Sequence, residues 1–233
     1  DEIELLYPNT LNIPAISGKR QKDVLMKIYN HSCHICCENE KGKEAFWDIE
    51  FSRMFDMSLD SSLFLKEGEI QVDTQSKFTE DWSGTYNKKE ISPLYEAKLF
   101  DSYNHRYSTF EGADEAKMYG TKPQTLYATA QQVSDEHWHP KPRYWVEKNT
   151  IEERIPQKWP FPWLVGFRNA LSSSADTRSL RATIIPRHGA GNSLPLIYEH
   201  SGKKECLAFV GFLNSIAMDY VVKQKVSGAN LNF

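Results

Sequence analysis

Apolar and polar residues recur with both helical and strand periods along the chain. Residues 17–31 begin with Ser-Gly and then repeat apolar residues at helical spacing, which predicts a short amphipathic helix. Residues 45–51, AFWDIEF, alternate large apolar residues with acidic ones and predict a half-buried strand. Residues 65–92 are polar with little periodicity, so they are predicted to form a mobile loop or a seam between lobes.

The second half of the chain predicts more strands and a long helix. Residues 143–147 predict a strand, and the segments WPFPWLVGFRNA and SLRATIIPR predict two more, joined by the polar turn LSSSADTR. NSLPLIY predicts another short strand. Residues 205–226 carry an apolar stripe, and Gly228 follows as a C-cap, so one helix is predicted there. The expected fold class is α+β, with a mixed or mostly antiparallel sheet and a long amphipathic helix near the C-terminus.

The charge is unevenly distributed along the chain. The formal net charge is −3. Residues 1–80 contain 9 Lys and Arg against 15 Asp and Glu, a net −6, whereas residues 141–233 contain 13 against 7, a net +6. Such a gradient suits a protein that presents one face to phosphate and another to a protein partner, and it equally suits an unevenly charged solvated surface.

Composition argues against a membrane or secreted protein. No run approaches the ~18 apolar residues of a membrane helix, and the N-terminus has no basic-then-apolar signal. Four cysteines, three of them within residues 33–37, do not suggest a disulfide framework. We therefore expect a cytoplasmic protein. The chain starts without Met at DEIELLYPNT and stops at GANLNF, so we expect a piece of a longer polypeptide.

Metal and catalytic motifs are incomplete. HSCHICCENE has C-x-x-C spacing with histidines beside it, but a closed zinc site needs four ligands, and the distant candidates are only His137, His139 and Cys206. We expect no metal site. Methyl transfer to adenine needs an Asn/Asp-Pro-Pro-aromatic motif and a Gly-rich cofactor turn, and the sequence has neither. No catalytic residue is therefore assigned.

The stretch PLYEAKLFDSYNHRY, residues 93–107, allows two interpretations. Glu96 and Lys98 form the E-x-K of a magnesium nuclease, for which Asp73 or Asp81 would have to supply the further carboxylate. Neither aspartate lies in an apolar strand pattern, and E-x-K recurs by chance. The alternative is structural: Glu96 pairs with a basic neighbour, and Lys98 faces phosphate.

Basic residues near the predicted hairpin and last helix suit DNA. Arginine pairs bidentately with guanine and asparagine with adenine, while lysine supplies phosphate contacts. We predict that these residues form one continuous, concave cationic surface. The candidate DNA-binding residues are Lys98, Arg106, Arg168, Asn169, Arg178, Arg181, Arg187, Lys223 and Lys225, with Lys203 and Lys204 beside the last helix.

An ordered set of segments resembles a known family. PLYEAKLFDSYNHRYSTFEG, PRYWV, WLVGFRNALSSSADTRSLRATIIPR, GNSLPLIY and LNSIAMDYVVKQKVSGANLNF resemble the region that follows the catalytic domain in large bacterial adenine-specific DNA methylases. These include type IIG restriction–modification enzymes and the methylases of BREX-like phage-defence systems. LLYPNT and FWDIEFSRMFDMSLDSSLF are similar to the upstream linking region. The chain departs from the common family pattern at Ala97, Asn104, Asp176 and Thr177.

The resemblance implies a sequence-specific module that recognises duplex DNA and catalyses nothing by itself. Residues 1–92 would be a linking region or N-terminal lobe and residues 93–233 the target recognition domain, unless 1–233 is one continuous domain. Its partners would be double-stranded DNA and the N-terminal methyltransferase domain of the same polypeptide, which would hold S-adenosylmethionine. The rival hypotheses are the Mg²⁺-dependent nuclease and a protein-interaction scaffold without DNA affinity.

Overall fold

The structure, a computed structural model, describes residues 6, 16, 18–31, 35–39, 42–72, 75, 77–170, 178–225 and 231, with only the backbone at 36–39 and 42–45. Its helices are α1 Lys19–Asn30, α2 Glu67–Val72, α3 Glu115–Met118, α4 Ala130–Ser134, α5 Lys148–Glu153, α6 Lys203–Leu213 and α7 Ile216–Lys225. Its strands are β1 Cys36–Asn39, β2 Gly42–Ala45, β3 Ile49–Ser52, β4 Lys77–Phe78, β5 Gly84–Tyr86, β6 Lys89–Tyr95, β7 Ser108–Thr109, β8 Leu126–Tyr127, β9 Trp145–Glu147, β10 Trp163–Phe167, β11 Ala182–Pro186, β12 Gly189–Ala190 and β13 Leu196–Glu199.

The backbone forms two compact units. Unit 1 comprises residues 1–50, 171–180 and 199–233, and unit 2 comprises residues 51–170 and 181–198. The predicted division at residue 92 does not coincide with these units, because it falls inside β6. A strand that pairs on both edges keeps the residues before and after this point in one sheet.

Unit 1 contains the amphipathic helix that the sequence predicts. Leu25 of α1 is fully buried and clusters with Leu6 and Val221, with Tyr29 and Tyr220 packed around them. The Tyr220 hydroxyl donates to the backbone oxygen of Gln21, 3.3 Å away, so α1 and α7 are neighbours. The strands β1 and β2 form an antiparallel hairpin in the same unit.

The long helix predicted at 205–226 is two helices, α6 and α7, bent by 61°. The break lies at Asn214 and Ser215, where side chains take over backbone hydrogen-bonding groups. Asn214 Nδ2 donates to the Val210 oxygen at 3.1 Å, and Ser215 Oγ accepts from Met218 N at 3.1 Å, which caps α7. No single described helix is long and apolar enough to cross a membrane, and this bent pair reaches such a length and composition only together.

Unit 2 confirms the predicted mixed, mostly antiparallel sheet. One sheet has the order β12-β6-β5-β4, with β9 also paired to β6, and only the β12–β6 pairing in it is parallel. A second sheet contains the predicted hairpin, in which β10 pairs antiparallel with β11, and β13 pairs antiparallel with β10. The short pair β7–β8 stands apart from both.

The prediction of a mobile loop or a seam between lobes at residues 65–92 was wrong. This segment contains α2, β4, β5 and the first part of β6. Its few apolar residues are too widely spaced to show a period, but Ile70 and Ile91 pack on Trp145, which lies far along the chain and is fully buried. The core of this segment is therefore completed by a residue from outside it.

The β5–β6 hairpin has a two-residue turn at Asn87 and Lys88, with φ of 49° and 64°. Positive φ at both central residues matches a type I′ turn, in which glycine is preferred at the second position. We expect Lys88→Gly to stabilise the protein by about 0.5–1 kcal/mol, because the left-handed backbone costs glycine nothing. Thermal denaturation should show a rise of about 1–4 °C in Tm. A fall in Tm would contradict the turn assignment.

Candidate nucleic-acid interface

Glu96 is held by a buried arginine. Arg143 donates from Nε to Glu96 Oε1 at 2.6 Å and from Nη2 to Oε2 at 2.7 Å. Its third contact is with the backbone oxygen of Met118 at 3.0 Å. The side chains of Glu96 and Arg143 are 8% and 10% exposed. The expectation that Glu96 pairs with a basic neighbour is confirmed.

This pairing argues against the nuclease hypothesis. Both Glu96 oxygens are occupied by Arg143, and the Lys98 ammonium donates to the backbone oxygen of Pro123. Asp81 accepts from Thr79 Oγ1 and from Ser83. Asp73 lies outside the described residues. No group of three or more His, Cys, Asp or Glu side chains that could hold a metal ion occurs in the part of the chain that the structure describes.

The zinc hypothesis falls largely on undescribed residues. His34 and Cys33 lie outside the described range, and of residues 36 and 37 only the backbone is described. Cys206 is buried, and burial raises the pKa of its thiol to about 12. A thiol with such a pKa stays protonated at neutral pH, as is usual for a cysteine packed in the core.

Arg168 and Arg181, predicted to bind DNA, converge on the turn 101–104. Arg181 Nε lies 3.1 Å from Asp101 Oδ1, and Arg168 Nη2 lies 3.7 Å from Asp101 Oδ2. Arg168 also donates to the backbone oxygen of Phe100. The Arg181 side chain is only 7% exposed. These two guanidinium groups therefore brace the turn from the adjacent hairpin.

Arg106 anchors a second segment. Its guanidinium donates to the backbone oxygens of Val133, Asp135 and Trp138 at 3.1, 2.6 and 3.1 Å. Among the described residues no carboxylate pairs with it. Hydrogen bonds to backbone carbonyls satisfy the donors but leave the full positive charge in place. Arg106 thus fixes the chain after the turn and still contributes a cation.

The other hairpin positions are also used inside their units. Arg187 forms a bidentate pair with Glu152, at 3.0 Å from Nε and 2.7 Å from Nη2. Arg178 donates to the Asn214 oxygen and lies 4.0 Å from Asp219 Oδ1. Asn169 is engaged through its backbone, which donates to the oxygen of Ser193, whereas its buried Oδ1 has no hydrogen-bond partner among the described residues.

The lysines of α6 and α7 differ from one another. Lys225 donates to the backbone oxygen of Leu6 at 2.7 Å, and burial lowers its pKa to about 8. Lys203, Lys204 and Lys223 are exposed. On α1, Arg20 and Lys27 are exposed on the side opposite buried Leu25.

The predicted continuous cationic surface is therefore corrected. Arg168, Arg178, Arg181 and Arg187 contact carboxylates or carbonyls in the fold, because a partly or fully buried guanidinium needs partners for its donors. Lys225 is half-buried against a carbonyl for the same reason. Among the candidate DNA-binding residues, those that stay exposed are Lys98, Lys203, Lys204 and Lys223.

Sequence reasoning missed an exposed tyrosine at the braced turn. Asp101 N donates to the Asn104 oxygen at 2.8 Å, and Asn104 N donates to the Asp101 oxygen at 2.9 Å, so Ser102 and Tyr103 form a closed turn. Tyr103 has φ of 60° and is 63% exposed. Its backbone N–H donates to the Ala182 oxygen at 3.1 Å. A positive φ at a tyrosine depends on tertiary contacts, so no local sequence pattern predicts it.

Further exposed apolar residues lie close to Lys98. Tyr127 and Leu126 of β8 are 75% and 51% exposed. The Tyr127 ring centroid is 5.3 Å from that of Tyr107, and β8 pairs with β7. Ser108 of β7 donates its hydroxyl to the backbone oxygen of Lys98. We call Lys98, Tyr103, Arg106, Tyr107 and Tyr127 the tyrosine surface.

Ser92, His188 and Asp81, which the sequence did not connect, meet at an open cleft of about 600 Å³. Ser92 Oγ lies 2.7 Å from His188 Nδ1, and His188 Nε2 lies 3.9 Å from Asp81 Oδ2. Burial lowers the pKa of His188 to about 4, with Asp81 opposing that shift. Because Ser92 is 3% exposed and the imidazole is a weak base, this group fits a structural link between β6 and residues 186–190.

Comparison with known proteins finds no match: no family model fits the chain, and no curated protein resembles it significantly.

Proposed function

We propose that this chain is a DNA target recognition module of an adenine-specific DNA methylase or restriction–modification enzyme. The segments that carry the family resemblance support this, because those that the structure describes in unit 2 pack together. Leu94 pairs with Gly189, Ala97 N donates to Ser193 Oγ at 3.1 Å, and Asp101 pairs with Arg181. Segments far apart in sequence thus build one scaffold in unit 2.

The tyrosine surface is the observation that carries the proposal. It combines two exposed or half-exposed cations with exposed aromatic rings on that scaffold. Lys98 is not neutralised by Glu96, since Glu96 is paired bidentately with Arg143, and Arg106 contacts only carbonyls among the described residues. Cations bind phosphate and aromatic faces bind bases, so this combination suits nucleic acid better than an acidic or purely apolar partner.

In this proposal the module binds and orients duplex DNA and does no chemistry. The catalytic domain of the parent enzyme would bind S-adenosylmethionine and act on the adenine. The module would contact that domain in the same polypeptide and would work in the cytoplasm.

DNA binding should be salt-dependent, and Lys98→Ala should reduce that dependence. Fluorescence anisotropy with a labelled mixed-sequence duplex should give a Kd of about 10⁻⁴–10⁻⁶ M near physiological salt, tightening as salt falls. Loss of one phosphate contact should reduce the slope of log K against log salt by about 1.

The control is Lys158→Ala, an exposed lysine of unit 2 outside the tyrosine surface. It should leave the slope unchanged. A wild-type chain that binds no duplex even at low salt would overturn the proposed function and favour the protein-interaction scaffold. An equal change in both variants would place the phosphate contacts elsewhere.

A further inference from the structure

Tyr103 sits in a backbone conformation that tyrosine rarely adopts. Its φ of 60° lies in the left-handed region, where glycine and asparagine are favoured and a bulky side chain is strained. The ring does not offset that strain by entering the core, because the residue is 63% exposed. Strained residues that the surrounding structure holds in place are concentrated at functional sites.

The surrounding contacts hold this turn firmly. Its two ends exchange backbone hydrogen bonds at 2.8 and 2.9 Å, and Ser102 N donates to Asp101 Oδ1 at 2.6 Å. Arg106 N donates to Asn104 Oδ1 at 2.8 Å. The Tyr103 N–H is fixed to the Ala182 oxygen of β11. The backbone that carries the exposed ring is thereby tied to the hairpin of the second sheet.

The charges on either side of the turn define the partner. Lys98 lies five residues before Tyr103 and Arg106 three residues after it, and among the described residues neither has a carboxylate partner. An exposed aromatic ring on a braced turn between two cations matches a base flanked by phosphates. Apolar and aromatic side chains that enter between base steps unstack them and bend the duplex.

We propose that Tyr103 inserts its ring beside a base step of bound duplex DNA and stacks on a nucleobase. This inference rests on the proposed function and assigns the residue that contacts the bases. The strained turn then has a physical purpose, since it keeps Tyr103 63% exposed on a backbone that is hydrogen-bonded to β11. A glycine or asparagine at this position would relax the backbone but would remove the ring.

The test separates stability from binding. Tyr103→Asn should melt at the same temperature as the wild type or higher, because asparagine tolerates the left-handed region. It should bind the labelled duplex about 5- to 100-fold more weakly, which is the range of one base–aromatic stack. Its salt slope should stay unchanged, since no phosphate contact is lost. Tyr103→Phe should bind within about twofold of the wild type, because it keeps the ring.

Lys88→Gly is the matched control, since it also relieves a positive φ but removes no ring. It should raise stability and leave DNA binding unchanged. A second readout does not depend on any variant: duplexes carrying 2-aminopurine at successive positions should brighten on binding of the wild type, as the probe base is unstacked.

The outcomes are distinct. A wild type that binds DNA while Tyr103→Asn binds equally well overturns this inference alone. The same holds if Tyr103→Phe loses as much affinity as Tyr103→Asn, or if no probe position brightens. A wild type that binds no DNA overturns the proposed function and this inference with it.

Discussion

Glu96→Ala should lower the free energy of unfolding by about 3–5 kcal/mol, the usual result of breaking a buried ion pair on one side. The variant leaves the Arg143 guanidinium buried with its Nε and Nη2 donors unpaired, since both point at Glu96. The hydrogen bond from Nη1 to the Met118 carbonyl would remain. Urea denaturation followed by circular dichroism measures the change.

The matched control is Glu90→Ala, which breaks a pair at similar distance on the surface. Glu90 and Lys148 are 2.9 Å apart, but their side chains are 69% and 53% exposed. That variant should cost only about 0–1 kcal/mol. A loss below about 1 kcal/mol for Glu96→Ala would mean that the buried pair is not formed. The nuclease hypothesis predicts something else: Mg²⁺ would raise Tm of the wild type and not of Glu96→Ala.

The free energy of unfolding should fall steeply as the pH is lowered from about 6.5 to about 4. Burial lowers the pKa of both His188 and His105 to about 4. In the unfolded chain a histidine has a pKa near 6.5. Between these values the unfolded state takes up protons that the folded state does not, so protonation favours unfolding. For each histidine this amounts to roughly 3 kcal/mol over the whole interval.

Urea midpoints measured across this pH range test the effect. His188→Gln should flatten the dependence, because the buried imidazole that resists protonation is gone. His137→Gln should not, since the His137 side chain is 70% exposed. Asp81 opposes the lowering of the pKa of His188, so Asp81→Asn should steepen the dependence in the same interval. An identical pH profile in the wild type and His188→Gln would contradict the assignment.

Local patterns identified several elements correctly. The helix at 17–31 and the hairpin of β10 and β11 are where the periodicity and turn residues predict them. These elements bury one face, and a one-sided burial leaves a period in the sequence. The segment 65–92 has no such period, because its core contact with Trp145 comes from elsewhere in the chain. The prediction of one long helix at 205–226 failed for another reason. Asn214 and Ser215 act as capping residues, which an apolar stripe does not reveal.

The candidate site shows the same division. The E-x-K motif was visible, but only the fold shows that Arg143 holds Glu96. The arginines of the hairpin were visible as cations, but their partners lie on other strands and turns. The sequence does not show which acidic group pairs with a given arginine when the two residues lie far apart along the chain. The positive φ of Tyr103 left no signal in the sequence, because it depends on contacts that form only in the fold.

By itself the sequence determined the α+β class, the identity of the main hairpin and the resemblance that motivates a DNA-binding function. These depend on local periodicity, turn chemistry and the order of segments, all of which are properties of neighbours along the chain. The tertiary structure alone decided which basic side chains form ion pairs or hydrogen bonds within the fold and which stay exposed. It also decided that Tyr103 has a positive φ and stays exposed at the braced turn, because both outcomes depend on groups that meet only when distant strands pair.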